Sequence, residues 1–103
     1  MIRHLVALRF APDISADTKK SLMDDLAGLS AHIDGILDFQ VRDNVSVEDE
    51  LVRGFRHLFW FDFQDEAVRD TYLADPVHQS IGARIVATLE GGADGVFVMD
   101  FSV

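Results

Sequence analysis

Three stretches of this chain carry apolar side chains on both sides of a strictly alternating pattern. That feature limits the possible folds more than any motif. In "FRHLFWFDF", His57, Phe59, Phe61 and Phe63 fall on one side, and Leu58, Trp60 and Asp62 on the other. "IRHLVALRF" sets Ile2, His4, Val6, Leu8 and Phe10 against Arg3, Leu5, Ala7 and Arg9. "VFVMDFSV" sets Phe97, Met99, Phe101 and Val103 against Val96 and Val98. A period of two is the mark of a strand. A sheet built from these strands has two faces to cover.

The remaining segments supply cover for one of them. After Ala11-Pro12-Asp13, Ser15 is a suitable N-cap, and Leu22, Leu26, Leu29 and Ile33 recur on one helical face with Met23 beside it. Gly35 then marks a turn. "ILDFQVRD" predicts a strand with Leu37, Phe39 and Val41 inward and Asp38, Gln40 and Arg42 outward. Residues 44–54 are polar and acidic and read as a loop. "QDEAVRDTYLA" predicts a short helix with acidic residues in its first turn, where the helix dipole favours them. Asp75-Pro76 then caps and opens a second helix carrying a Val77, Ile81, Ile85, Leu89 stripe, and "EGGADG" ends it. The order strand, helix, strand, strand, helix pair, strand is the ferredoxin-like split βαβ pattern, an α+β fold with a four-stranded antiparallel sheet. The 103 residues form one domain.

Helices can cover only one face of such a sheet. An open apolar face is an aggregation hazard, and covering several large side chains at about 25 cal/mol per Å² is worth many kcal/mol. A second copy of the chain is the economical cover, so a homodimer joined through its sheets is expected. The alternative is a monomer with a half-wet second face.

Charge narrows the partners. Nine basic against eighteen acidic residues give a net charge of −9, which disfavours nucleic acid and anionic membrane surfaces. There is no cysteine, hence no disulfide, thiolate metal site or thiol nucleophile. That usage suits the cytoplasm. The N-terminal apolar run is broken by Arg3, His4 and Arg9, so neither a signal peptide nor a membrane span is expected.

The stretch to search for chemistry is "TYLADPVHQS". With Asp75 as N-cap, His78 is the third helical residue, where the dipole disfavours a cationic imidazole. A neutral histidine there could serve as a general base, with Tyr72 as a hydrogen-bond partner. The plainer reading is that Tyr72 packs and His78 supports the helix joint. His4 and His57 each lie in a strand among apolar neighbours, where a histidine is usually a satisfied core group. Both sit near the start of their own strand, so antiparallel pairing would place them at opposite ends of the sheet. No His-x-His or His-x-x-x-His spacing supports a metal. His32, near the end of the first helix, reads as structural. "EGGADG" has no following helix and is not a phosphate cradle, and Glu48, Asp49 and Glu50 read as a solvated run.

Taken in order, "MIRHLVALRF", "DGILDFQVRDNVS", "RGFRHLFWFDF", "YLADPVH" and "VFVMDFSV" resemble the stress-responsive A/B barrel domain (Dabb) family over nearly the whole chain. The resemblance implies a ferredoxin-like fold assembled as a dimeric α/β barrel. Many members have no assigned reaction. A plant branch cyclises linear polyketides by aldol condensation without a cofactor. By that likeness Tyr72 and His78 would be the catalytic pair and His4 and His57 substrate-binding residues. The chain departs from the family pattern at Asp75, where histidine is common before the proline, and at Phe55-Arg56. The expected function is a homodimeric domain holding a small hydrophobic or aromatic molecule between sheet and helices, with no metal or cofactor. A cofactor-independent cyclase-like enzyme is the alternative, and a cofactor-free monooxygenase on the related dimeric barrel fold is the third possibility.

Overall fold

The computed structural model describes residues 1–103. Four strands, β1 (Ile2–Leu8), β2 (Ile36–Asp43), β3 (His57–Phe63) and β4 (Val96–Ser102), form one antiparallel sheet in the order β2-β3-β1-β4. Helices α1 (Ala16–Ala27), α3 (Glu66–Ala74) and α4 (Pro76–Val86) cover one face. The short α2 (Asp49–Val52) lies in the β2–β3 connection.

The register decides which side chains meet. His4 lies opposite Phe61 on β3 and opposite Asp100 on β4, Val6 opposite Phe59 and Val98, and Leu8 opposite His57 and Val96. The helix-facing core therefore contains Val6, Leu8, Phe59, Phe61 and Phe63 from the sheet, and Leu22, Leu26, Ile81 and Ile85 from the helices. Leu29 and Ile33 are buried as expected, but α1 ends at Ala27 and a 3-10 turn, Gly28–Ala31, carries the chain onward. Gly35 takes φ +93°, and a Cβ there would come within 2.5 Å of Val68, so only glycine allows β2 to start this close to α3.

Three expectations are corrected. Leu37 does not point inward. A bulge between Ile36 and Asp38 adds a residue, so Ile36 takes the place opposite Phe63 and Leu37 is left 58% exposed. Residues 44–54 are not all loop: Asp49–Val52 form a helical turn that buries Val52, closed by Arg53 at φ 57°. Val77 does not share the α4 core stripe. It is exposed in the first turn, and Leu89 reaches the core from beyond the helix, bridging to Phe10.

On the uncovered face Asp62 is buried under a two-pronged hydrogen bond from Arg3, at 2.8 and 3.0 Å. Arg3 and Arg42 lie over the Trp60 ring at 5.1 and 5.3 Å. Phe97, Met99 and Phe101 of the edge strand β4 remain exposed beside them. No helix of the chain is long and apolar enough to cross a membrane.

Candidate functional site

One carboxylate organises the end of the molecule where the candidate residues meet. Asp75 ends α3, and its Oδ1 accepts hydrogen bonds from the Val77 and His78 amides at 2.9 and 3.0 Å, with Pro76 as the first residue of α4. Its Oδ2 accepts from His32 Nε2 at 2.8 Å. These bonds, the His78 amide first, hold the Asp75 carboxyl below its ordinary range. His32 thus has a structural partner, through Asp75 rather than through the end of α1. Replacing Asp75 with alanine removes the cap and the His32 partner together. A lower Tm is expected, with most of it restored by Asp75→Asn, which still caps; equal melting of all three proteins would show that the joint does not depend on this side chain.

The joint stacks two rings. Tyr72 and His78 have centroids 3.8 Å apart at 30°. Tyr72 is almost completely buried, backed by Phe61 at 4.9 Å and Phe63 at 5.0 Å, and meets His4 edge-on at 5.5 Å. Burial, with a smaller contribution from Asp100, raises the Tyr72 pKa well above the usual phenol value, so the hydroxyl stays a proton donor.

His4 is held from the other side. Its Nδ1 lies 2.6 Å from Asp100 Oδ1, and Arg69 reaches Asp100 Oδ2 at 3.4 Å. An ionised carboxylate can only accept, so Nδ1 carries the proton, and whenever the ring is neutral Nε2 is the acceptor. The buried side-chain polar atoms without a partner are Trp60 Nε1 and His78 Nδ1. His4 bonds within the chain through Nδ1, and both His4 and Tyr72 line an adjoining cavity.

That cavity measures about 270 Å³ and lies between α4 and strands β1 and β4. Its polar end is formed by His4, Tyr72, His78 and Asp100, and Val6, Leu8, Phe59, Ile85 and Val96 make the rest apolar. His57 is not part of it. The antiparallel register puts His57 opposite Leu8, at the far end of the sheet. There it packs edge-on against Phe10 at 5.1 Å, lies 3.7 Å from Asp43, and lines a separate groove with Lys19. No three histidine or carboxylate side chains converge in a way that could hold a metal.

His78 has a lowered pKa, as its position suggested, but with a different leading cause. Burial contributes most and the nearby His4 next, while the Tyr72 carbonyl and Asp75 act the other way. A histidine whose folded pKa lies below its ordinary 6.5 binds fewer protons folded than unfolded in the interval between the two. Its stabilising contribution is complete above pH 6.5 and is lost as pH falls toward the folded value. His57, also lowered by burial, acts in the same sense. Urea midpoints measured from pH 7.5 down to 5.5 should therefore fall, and fall less steeply in His78→Gln. Equal slopes would remove His78 from the account.

The whole arrangement is carried by a chain that the profile of the Stress Responsive A/B Barrel Domain, Dabb, matches over residues 2–103. The chain belongs to the Dabb family. Among solved structures this Dabb domain is similar to a dimeric ferredoxin-like protein of unknown function from Jannaschia sp. CCS1, with 31% identity over 99% of this chain and 98% of that one and a TM-score of 0.88. It is also similar to a Dabb family protein with a ferredoxin-like fold from Mesorhizobium loti, at 20% identity, 99% and 95% coverage and TM-score 0.76. A hydroxynitrile lyase from Passiflora edulis shares the fold at 16% identity, 99% and 92% coverage and TM-score 0.83. No curated protein matches the chain.

Asp100 and Arg69 are the site residues that sequence reasoning missed. The available signal was a lone carboxylate on the Val96–Val98 side of an otherwise apolar strand. Its importance shows only once β4 is laid beside β1.

Proposed function

We propose that this Dabb domain is a homodimer that binds a small, neutral, mostly apolar molecule bearing a hydroxyl or carbonyl group. The observation that carries the reading is the 270 Å³ cavity with its polar atoms gathered at one end. His4 Nε2 is placed to accept from a ligand hydroxyl, and Tyr72 to donate to a ligand oxygen. The cationic side chain nearest this end, Arg69, is already paired with Asp70 and Asp100. A carboxylate ligand would find no free counter-ion there and a protein of net charge −9 around it. Dimerisation through the open sheet face is supported by its exposed Phe97, Met99 and Phe101 and by the dimeric state of the Jannaschia protein.

Phenol is a suitable probe. Titrated into labelled protein, it should shift the ring resonances of His4, Tyr72 and His78, and leave His57 unmoved. Tyr72→Phe and His4→Ala should each weaken it roughly tenfold, the equivalent of one hydrogen bond of about 1–1.5 kcal/mol. Shifts spread evenly over the surface, or none at millimolar phenol, would defeat the reading.

A second reading, acid–base catalysis at the same place, is favoured by one arrangement. A histidine fixed by a carboxylate and a tyrosine held protonated stand beside His78, whose lowered pKa suits a general base. His78 would remove an acidic C–H proton beside a ketone while the Tyr72 hydroxyl stabilises the oxyanion. A neighbour of this fold is itself a lyase. Deuterium exchange into the central carbon of acetylacetone, accelerated by the protein and abolished in His78→Gln, would support catalysis. Unaccelerated exchange leaves binding as the function.

A further inference from the structure

Lys19 and Lys20 are the two lysines of the chain, and both lie in the first half of α1. The helix dipole favours anions at that end, so the placement is electrostatically unfavourable. Lys20 is compensated by Asp24, one turn on, at 2.7 Å. Lys19 is in no ion pair with a carboxylate of the chain. Its ammonium lies instead over the Phe10 ring, 5.2 Å from the centroid, and the residue is half-buried where Lys20 is exposed. An aromatic face holds a cation in place without neutralising it.

Lys19 lines a groove of about 460 Å³ at the His57 end of the sheet. Leu8, Phe10, Met23 and Val41 make most of its lining apolar. His57 stands in it, edge-on to Phe10, so the ammonium and the imidazole centre both lie within 5.2 Å of the centre of one ring. The ammonium is near enough to be the second cause, after burial, of the lowered His57 pKa. Two groups able to carry positive charge thus share an apolar groove. The carboxylates nearby do not fill the negative role between them. Asp24 is held by Lys20. Asp43, at 3.7 Å from His57, is beyond hydrogen-bond distance, and its side chain is 80% exposed. On the rest of this chain, with its net charge of −9, an anion is repelled.

We infer that this groove is a second binding site, for a small organic anion: a carboxylate on an aromatic or short aliphatic body, its head between Lys19 and His57 and its body against Phe10, Met23 and Val41. The inference does not depend on what the cavity at His4 and Tyr72 holds, because none of the residues it uses for recognition belongs to that end of the molecule. The groups facing the imidazole are Lys19, Lys20 and Asp24 from α1 and Asp43 from β2. A bound carboxylate adds one negative charge to this set and favours the imidazolium. Binding therefore tightens as pH falls through the lowered folded pKa of His57.

The test titrates benzoate, and benzamide as its neutral counterpart, into labelled protein. Benzoate should move the resonances of the His57 and Phe10 rings and the Lys19 side chain, and leave Tyr72 and His78 in place. Benzamide should bind roughly tenfold more weakly. Lys19→Met keeps the helix and the apolar stem; it should weaken benzoate roughly fivefold and leave benzamide unchanged. Lys20→Met, whose partner is Asp24, should bind benzoate as wild type does. Between pH 7.5 and 5.5 the wild-type affinity for benzoate should rise about threefold or more, and His57→Gln should flatten that profile. Equal binding of benzoate and benzamide, wild-type affinity in Lys19→Met, or shifts centred on Tyr72 and His78 would overturn the inference. So would the absence of any response at millimolar benzoate. Each of those results leaves the phenol experiment at the other end of the sheet unaffected, so the two sites stand or fall separately.

Discussion

Phe61→Ala is expected to cost about 3–5 kcal/mol of folding stability, the range for removing a fully buried aromatic side chain. Phe61 has no exposed surface and is the centre of an aromatic cluster, with Phe39 at 4.6 Å, Phe63 stacked at 5.7 Å, Phe59 at 6.0 Å and Tyr72 at 4.9 Å. It joins β2, β3 and α3 and backs the ring that the site depends on. Domains of this size are typically stable by only about 5–15 kcal/mol, so the variant should be partly unfolded near body temperature. Urea denaturation compared with Phe101→Ala, at the exposed end of β4, separates the effects: the Phe101 variant should leave monomer packing nearly untouched. A loss below 1 kcal/mol for Phe61→Ala would mean that the cluster collapses into the gap, and that the core is far softer than its ring geometry indicates.

The second large effect concerns assembly. Phe97→Glu combined with Met99→Glu should convert a dimer into a monomer by sedimentation velocity, weakening association by roughly 100-fold or more, as when two central apolar anchors are lost. Both side chains are about half exposed in the single chain, at 51% and 47%, and stand on the same side of β4 as Trp60 and Leu5. In a two-fold interface each new carboxylate is introduced twice, so like charges face one another across the axis. Val77→Glu, equally exposed but on the helix side, is the control and should leave the dimer intact. A wild-type protein that sediments as a monomer, or a double variant that still pairs, would rule out the sheet face as the interface.

How much of this was legible in the sequence differs by feature. Strand alternation placed His4, Val6 and Leu8 on the core side and Phe59, Phe61 and Phe63 with them, because a period of two depends on nothing beyond the strand itself. The caps were equally readable, since Ser15 and Asp75 act on amides two or three residues away. Leu37 was misplaced because a single bulge residue reverses the alternation, and no residue type announces it. The helical turn at Asp49–Val52 was hidden by its polar composition, with Val52 alone buried. In the site, Tyr72 and His78 could be paired from spacing across one capped joint. The resemblance that grouped His57 with them did not hold geometrically, since strand direction carries His57 to the opposite end. Asp100 was out of reach for the complementary reason: it meets His4 only through a pairing of residues 96 positions apart.

Asp75 is equidistant in sequence from the two stacked rings, three residues after Tyr72 and three before His78. It fixes both helix ends at once, and it is itself anchored by His32. The angle between the rings is therefore a property of the folded chain and not of an occupant. Under the binding function proposed above, a ligand arriving at this end would meet a surface already held in one shape, and little ordering entropy would oppose binding. The converse is that the rings cannot adapt to a mismatched head group. Discrimination at the polar end should accordingly be steep, and tolerance, where it exists, should be confined to the apolar far end.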